Sequence, residues 1–521
     1  MPNTYRSANL ATYALLVLLG GTTQSATAQT ALDTYVDTID GSYGYSLANT
    51  VTGAGFTGYN IDLTSQTWRD PSEITHNLWQ HKMTIVQPDT VLTNTAILVI
   101  GGGSNPGDFD PGDLTELAAA ALLTKSVVLS LPMVPNQPLT FAGESSGRSE
   151  DAIIAKTFAK FLENNPADSN VDQWPLLLPM VKSAVAAMDA TQDHMGNLPV
   201  PVQIDKFFIL GGSKRGWTTW LTAAVEARPG GPNRVKAIAP GVIDMLNTDE
   251  SMQHHRSVYE AGPVPPVNCT AIGVPAGCSL FDGFSLAVGD YVLEGVMNQL
   301  APMPGETISP RAQELLDIVD PYEYRDRLVL PKYVVNSTGD QFFAPDSSQF
   351  YFQDLSGEKY LRYIPNTDHS LDDTAIPGAL VFHTALELGL PLPDITWDIS
   401  ADGTSILADT DIAPQEVKMW QATNPANRDF RLATFGAGWT ESVLPEQAPG
   451  QYLASVVAPA TGATAFMIEF TYLVGGQELK FTTDISVVQI PEPTATALML
   501  SGLSLGLFGP RRASRRSTRP N

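Results

Sequence analysis

The stretch Phe207-Phe208-Ile209-Leu210-Gly211-Gly212-Ser213-Lys214-Arg215-Gly216-Trp217 reads as a buried strand, a tight glycine turn and the first turns of a helix. Small residues on both sides of Ser213 let the chain reverse sharply. That geometry lifts the serine hydroxyl above a sheet and aims the helix's first N–H groups at a developing oxyanion. The pattern departs from the usual nucleophile elbow at one place: Arg215 stands two residues after the serine, and the glycine follows at Gly216.

A serine of this kind needs a base, and the base needs an orienting carboxylate, in the chain order serine, acid, histidine for this fold. The sequence supplies that order. Asp340 follows the apolar run Tyr333 to Asn336, and His369 follows Leu361 to Ile364, each on a loop beyond a strand's carboxyl end. Ser213 is therefore the expected nucleophile, His369 its general base and Asp340 the partner of the histidine. Asp244, after the strand Val235 to Ala239, is the alternative acid, and Asp368 is expected to be a surface or loop-closing residue. His76, His81, His194, His254, His255 and His383 have no comparable setting and read as ordinary polar or core residues.

A second oxyanion donor should come from the turn Ile100-Gly101-Gly102-Gly103-Ser104, so the expected donors are Gly102, Gly103 and the Lys214 N–H. A dinucleotide loop is excluded there, because the glycine spacing breaks at Asn105-Pro106 and no P-loop lysine follows. Arg215 and Trp217 are candidate substrate contacts. For Lys214 and Arg215 two roles stand open: contact with an anionic acyl group, or helix-end capping and a structural ion pair.

Strand-like runs at Ala96 to Ile100, Ser126 to Leu131, Phe207 to Leu210, Val235 to Ala239, Tyr333 to Asn336 and Leu361 to Ile364 alternate with helical patterns. The helical patterns lie at Asp113 to Leu123, Asp151 to Leu162, Leu176 to Met188 and Thr218 to Glu226. Such alternation predicts a doubly wound, mostly parallel sheet covered on both faces, the α/β-hydrolase arrangement. Tyr59 to Trp68 and Leu78 to Gln87 alternate like an antiparallel edge. The proline-rich stretch from about 244 to 327 is expected to form a lid insertion within a hydrolase domain spanning 29–390. Short β-rich runs after the prolines at 391 and 393 predict a small β-sandwich domain over 391–490.

The two ends read as addresses. Arg6, the apolar run Leu15 to Leu19 and Ala26-Thr27-Ala28 predict a signal peptide over 1–28, cut by signal peptidase. Residues 491–521 begin with Pro491-Glu492-Pro493, continue through an apolar stretch and end in an arginine cluster, an order that resembles the PEP-CTERM sorting signal. The resemblance implies processing by an exosortase, transient membrane contact through this segment, and export from a Gram-negative bacterium to the cell envelope or extracellular matrix. The only two cysteines, Cys269 and Cys278, are expected to pair in an oxidising compartment. The net charge is −25, about −30 without the two end segments, which argues against a nucleic-acid partner. No metal or organic cofactor is required by the chemistry.

Beyond these residues, the chain resembles the PhoPQ-activated pathogenicity-related protein family from about Gln66 to Val488. The likeness rests on Ser213-Lys214-Arg215-Gly216-Trp217-Thr218-Thr219-Trp220, Pro179-Met180-Val181-Lys182, Ala187-Met188-Asp189, Glu150-Asp151-Ala152-Ile153-Ile154-Ala155 and Arg428-Asp429-Phe430-Arg431. It implies a hydrolase core with Ser213, Asp340 and His369 as catalytic residues, and no particular substrate. The elbow also resembles that of glucuronoyl esterases, where a basic residue follows the serine as Lys214 does here, a hint toward carbohydrate-linked esters. The expected function is a secreted serine hydrolase acting on a small ester or a peptide through an acyl-enzyme, with an esterase favoured. The alternatives are a peptidase of the same fold and a non-catalytic binding or signalling protein on a hydrolase scaffold.

Overall fold

The computed structural model describes residues 29–259, 288–302 and 306–489. The signal-peptide expectation, the Cys269–Cys278 pairing and the PEP-CTERM segment fall outside the described residues.

One nine-stranded sheet organises the first part of the chain. Its strands are β1 (Gly44–Gly53), β2 (Phe56–Thr67), β3 (Leu78–Pro88), β4 (Thr95–Ile100), β5 (Val128–Leu131), β6 (Lys206–Gly212), β7 (Val235–Gly241), β8 (Lys332–Ser337) and β9 (Lys359–Ile364). They lie in the order β1-β2-β3-β5-β4-β6-β7-β8-β9. The first three run antiparallel and β4 to β9 run parallel. The parallel strands are buried almost throughout, which is why they read as continuous apolar runs. Strand β1 was not expected. Its exposed Ser46, Asn49 and Thr50 carry no apolar alternation, because an edge strand with a solvated face needs none.

Helices α1 (Ala31–Asp37), α2 (Pro111–Thr124), α3 (Asp151–Glu163), α4 (Leu177–Gly196) and α5 (Lys214–Glu226) precede the region expected to be a lid. Helix α2 starts where Asp110 accepts the Gly112 N–H at 2.7 Å, with Pro111 in the first turn. The described part of 244–327 is helical: α6 (Thr248–Tyr259), α7 (Gly289–Leu293), α8 (Met297–Leu300) and α9 (Pro310–Val319). After β9 comes α10 (Ala375–Leu388), a helix beyond those the sequence pattern predicts.

The chain order of the sheet reverses at β4, whose neighbours are β5 and β6. A reversal of this kind opens a crevice at the strands' carboxyl ends. Ser213 follows β6 directly and therefore stands at that crevice.

The C-terminal part is antiparallel. One sheet holds β10 (Ile395–Ile399), β11 (Ser405–Thr410), β14 (Glu446–Ala448) and β15 (Gln451–Ser455); the other holds β12 (Glu416–Asn424), β13 (Thr440–Val443), β16 (Ala463–Val474), β17 (Gln477–Thr482) and β18 (Ser486–Gln489). Strand β16 is buried on both faces. Phe466, Ile468, Phe470 and Tyr472 share one apolar cluster with Ile406, Ala408 and Tyr452 of the facing sheet. Ala463, Ala465 and Met467 point the other way, into the cluster that holds the hydrolase core. The β region thus packs onto the large sheet, and the short α11 (Leu432–Phe435) reaches the loop beyond β8.

Candidate active site

Ser213 joins β6 to α5 with φ 58° and ψ −128°, a region of the backbone map that a serine enters only under constraint. Its N–H donates to the Gly241 carbonyl at 2.8 Å and its carbonyl accepts the Trp217 N–H at 2.9 Å, so strand and helix hold it from both sides. The hydroxyl does not cap the helix. Gly216 permits this turn: a Cβ there would sit 2.7 Å from the Gly241 carbonyl oxygen. The glycine displaced by one position from the usual pattern is thus the one that lets α5 approach β7.

His369 Nδ1 lies 2.8 Å from Asp340 Oδ2. The other oxygen, Asp340 Oδ1, accepts the Phe342 N–H at 2.8 Å, which fixes the carboxylate. The Phe342 ring stands edge-on to the imidazole at 4.6 Å between centroids. Ser213 and His369 both line one cavity, and among the described residues no direct hydrogen bond joins them. Catalytic hydrogen bonds are commonly loose before substrate arrives. Asp368 accepts the Ser370 N–H at 2.9 Å and closes its own loop, as expected.

Asp244 is placed differently. Its two oxygens accept the hydroxyls of Tyr351 and Tyr363 at 2.6 Å each, deep in the core and without a histidine. Burial pushes its carboxyl up to about 8, although the two tyrosine hydroxyls pull the other way.

Lys214 and Arg215 take the structural option. Arg215 forms a two-pronged pair with Glu150 at 2.7 and 2.8 Å and donates from Nε to the Val134 carbonyl at 2.6 Å. Lys214 Nζ lies 2.8 Å from Asp151 and 3.3 Å from Glu150. Burial alone would raise the Glu150 carboxyl, but Arg215 and Lys214 outweigh it and hold it at about 2. Glu150 itself sits at φ 55°, a second constrained residue beside the elbow. Sequence reading saw the Glu150-Asp151 stretch only as a family motif; its partner is 65 residues away, and no local pattern announces it.

Of the expected oxyanion donors, the Lys214 N–H lies in the first turn of α5, where backbone donors have no partner within the helix. Gly102 packs against the Arg215 guanidinium, where a Cβ would come within 2.8 Å of Nη2. The carbonyls of Gly102 and Gly103 accept Met133 N–H at 2.6 Å and Gln137 Nε2 at 3.0 Å. Neither glycine is on the wall of the cavity shared by Ser213 and His369. Trp217 is on that wall, with its indole N–H donating to the Val319 carbonyl.

The loops carrying Asp340 and His369 are tied to the C-terminal region. Gly339 donates to the Thr367 carbonyl at 3.0 Å, and its own carbonyl accepts the Leu432 N–H at 2.9 Å. A Cβ at Gly339 would meet both the Thr367 oxygen and the Leu432 nitrogen within 2.9 Å, so the crossing requires glycine. Further out, Asp346 binds His254 of α6 at 2.9 Å and Arg428, and these contacts explain the Arg428 motif. Among the described residues no cluster of three or more His, Cys, Asp or Glu side chains is arranged to hold a metal ion.

The sheet order, the strand-to-helix serine turn and the loops beyond β8 and β9 define an α/β-hydrolase fold with a C-terminal antiparallel β region. Within that class, the chain belongs to the PhoPQ-activated pathogenicity-related protein family, whose model matches residues 32–275 and 278–431. It is 33% identical to autocrine proliferation repressor protein A of Dictyostelium discoideum over 503 residues, 91% of this chain and 93% of the relative. Among solved structures it resembles acetyl xylan esterase 1 from Thermoanaerobacterium sp., at 14% identity and a TM-score of 0.42, covering 68% of this chain and 92% of that one. It also resembles an S-formylglutathione hydrolase from Agrobacterium tumefaciens, at 11% identity and a TM-score of 0.35, covering 66% and 100%.

Proposed function

We propose that this protein is a serine hydrolase that cleaves carboxylic esters through an acyl-enzyme. Ser213 Oγ attacks the carbonyl carbon while His369 Nε2 takes the hydroxyl proton and passes it to the departing alcohol. Water then enters by the same route in reverse, releasing the acid and restoring the serine. Asp340 holds the imidazole in the tautomer whose Nε2 is free to accept. The Lys214 N–H at the head of α5 is the first oxyanion donor; Gly102 or Gly103 supplies the second once the turn after β4 meets substrate. The observation that carries this reading is the 2.8 Å contact between His369 Nδ1 and Asp340 Oδ2, beside the cavity that Ser213 also lines.

Export to the envelope or matrix of a Gram-negative bacterium completes the proposal, supported by the leader-like first residues and by Pro491-Glu492-Pro493 with the arginine cluster after it. Exchanging Ser213 for Ala tests the chemistry: ester turnover should vanish while the melting temperature stays within a few degrees. Undiminished turnover in a folded Ser213→Ala protein contradicts it. The relative's name, a repressor of proliferation, favours a signalling protein on the same scaffold. That reading expects no Ser213-dependent turnover of any ester.

A further inference from the structure

The cavity beside Ser213 has a chemistry of its own. Its far wall is built from Met252 of α6, Met297 and Leu300 of α8, and Leu316 and Val319 of α9, all at 3% exposure or less. Trp217, one turn after Ser213, and Phe158 close the side nearest α5, with their rings edge to face at 6.1 Å.

The few polar groups on this wall are already engaged. Lys214 Nζ is neutralised by Asp151 and Glu150. The Tyr291 hydroxyl donates to Asp151 at 3.2 Å, and the Thr248 hydroxyl donates to the Met245 carbonyl at 3.2 Å. Apart from Ser213 and His369, the cavity therefore offers, among the described residues, no uncommitted cation for a carboxylate and no ring of donors for a sugar. An anionic group entering here would also face Asp151 without a free countercharge, at a desolvation cost that nothing repays.

The space open to water-sized groups is about 70 Å³, more than a single small group fills.

We infer that the cavity is an acyl pocket for an uncharged, unbranched hydrocarbon chain of medium length. The inference rests on the serine-hydrolase reading. The acyl group, not the alcohol, is assigned to the cavity because it stays on Ser213 Oγ in the acyl-enzyme, and Trp217 on the same helix begins the apolar wall. Short acetyl groups leave the methionine and leucine wall unfilled, and chains longer than the cavity gain no further burial against it.

The test is a series of p-nitrophenyl esters, acetate through decanoate, on the full chain, with Ser213→Ala as the blank. Burial of each added methylene should raise kcat/KM by about fourfold at most, up to hexanoate, with a fall by decanoate. Met252→Phe, which fills the cavity, should lower the hexanoate-to-acetate ratio at least tenfold; Leu300→Phe is the second variant if the first does not fold.

Several results overturn the inference while leaving the hydrolase intact. They are a Ser213-dependent activity that is highest on acetate, one that prefers the anionic succinate monoester to butyrate, one whose gain follows the alcohol in a hexyl acetate comparison, or a ratio unmoved by both variants. If no ester is turned over and a fluorophosphonate leaves Ser213 unmodified, the hydrolase reading itself fails, and the acyl pocket with it.

Discussion

Asn366 and Trp439 exchange two hydrogen bonds: Asn366 Nδ2 donates to the Trp439 carbonyl at 3.0 Å, and the Trp439 N–H donates back to Asn366 Oδ1 at 2.9 Å. Asn366 is three residues before His369 and stands at φ 58°, a conformation that asparagine tolerates better than most residues. The loop that carries His369 is therefore clamped by the C-terminal β region, 73 residues on.

Asn366→Ala removes both bonds and places a residue with a Cβ but no compensating amide in the left-handed region. The expected loss is about 2–3 kcal/mol of stability. Looser placement of His369 should also cost about tenfold in kcat/KM. Urea unfolding and ester kinetics on one preparation read both effects.

The two buried aspartates at the strand ends should behave oppositely. Asp340→Asn should lower kcat by about a thousandfold to ten-thousandfold, because the tautomer of His369 is no longer fixed. Asp244→Asn should leave the histidine untouched and change the pH dependence of stability instead. Burial raises the Asp244 carboxyl to about 8, against about 3.9 in an unfolded chain. Between those values the folded state keeps a proton that the unfolded state has lost. The stabilising contribution is therefore full below about pH 4 and is lost as the pH climbs toward 8. The wild type's decline in melting temperature from pH 5 to pH 8 should become shallower in Asp244→Asn.

Arg215→Ala strips Glu150 of its two-pronged partner while leaving it beside the elbow. A loss of about 1–2 kcal/mol is expected, because Glu150 keeps Lys214 and Gln137 as partners and part of its side chain is solvated. Arg215→Lys should recover only part of it, since an ammonium cannot reproduce both parallel bonds and the third to Val134. The urea midpoints of the three proteins order the effect.

How much of this was legible beforehand follows from the range of each interaction. The β6–Ser213–α5 turn could be read because strand, glycines and helix are contiguous in sequence, and the Asp340 and His369 loops because each directly follows an apolar strand. Strand β1 left no pattern, since its residues are mostly exposed. The run from Leu479 to Val488 reads as one strand but is two, β17 and β18, interrupted where Thr483 and Asp484 turn inward to bond. The Glu150–Arg215 pair, the Asn366–Trp439 clamp and the tyrosine pair around Asp244 join segments far apart in the chain. Their residue types are unremarkable singly, so only the folded molecule reveals them. For the glycines after β4 the expected neighbour is substrate, and the neighbours the folded chain shows are the Arg215 side chain and the loop from Met133 to Gln137.

The central claim is that Ser213 is an activated nucleophile, and labelling by a fluorophosphonate with mass-spectrometric mapping of the modified peptide tests it most directly. The account predicts a single adduct on Ser213 in the folded chain, lost when His369 is replaced by Ala. A folded protein that remains unlabelled, or whose Ser213 reacts equally well without His369, would contradict it.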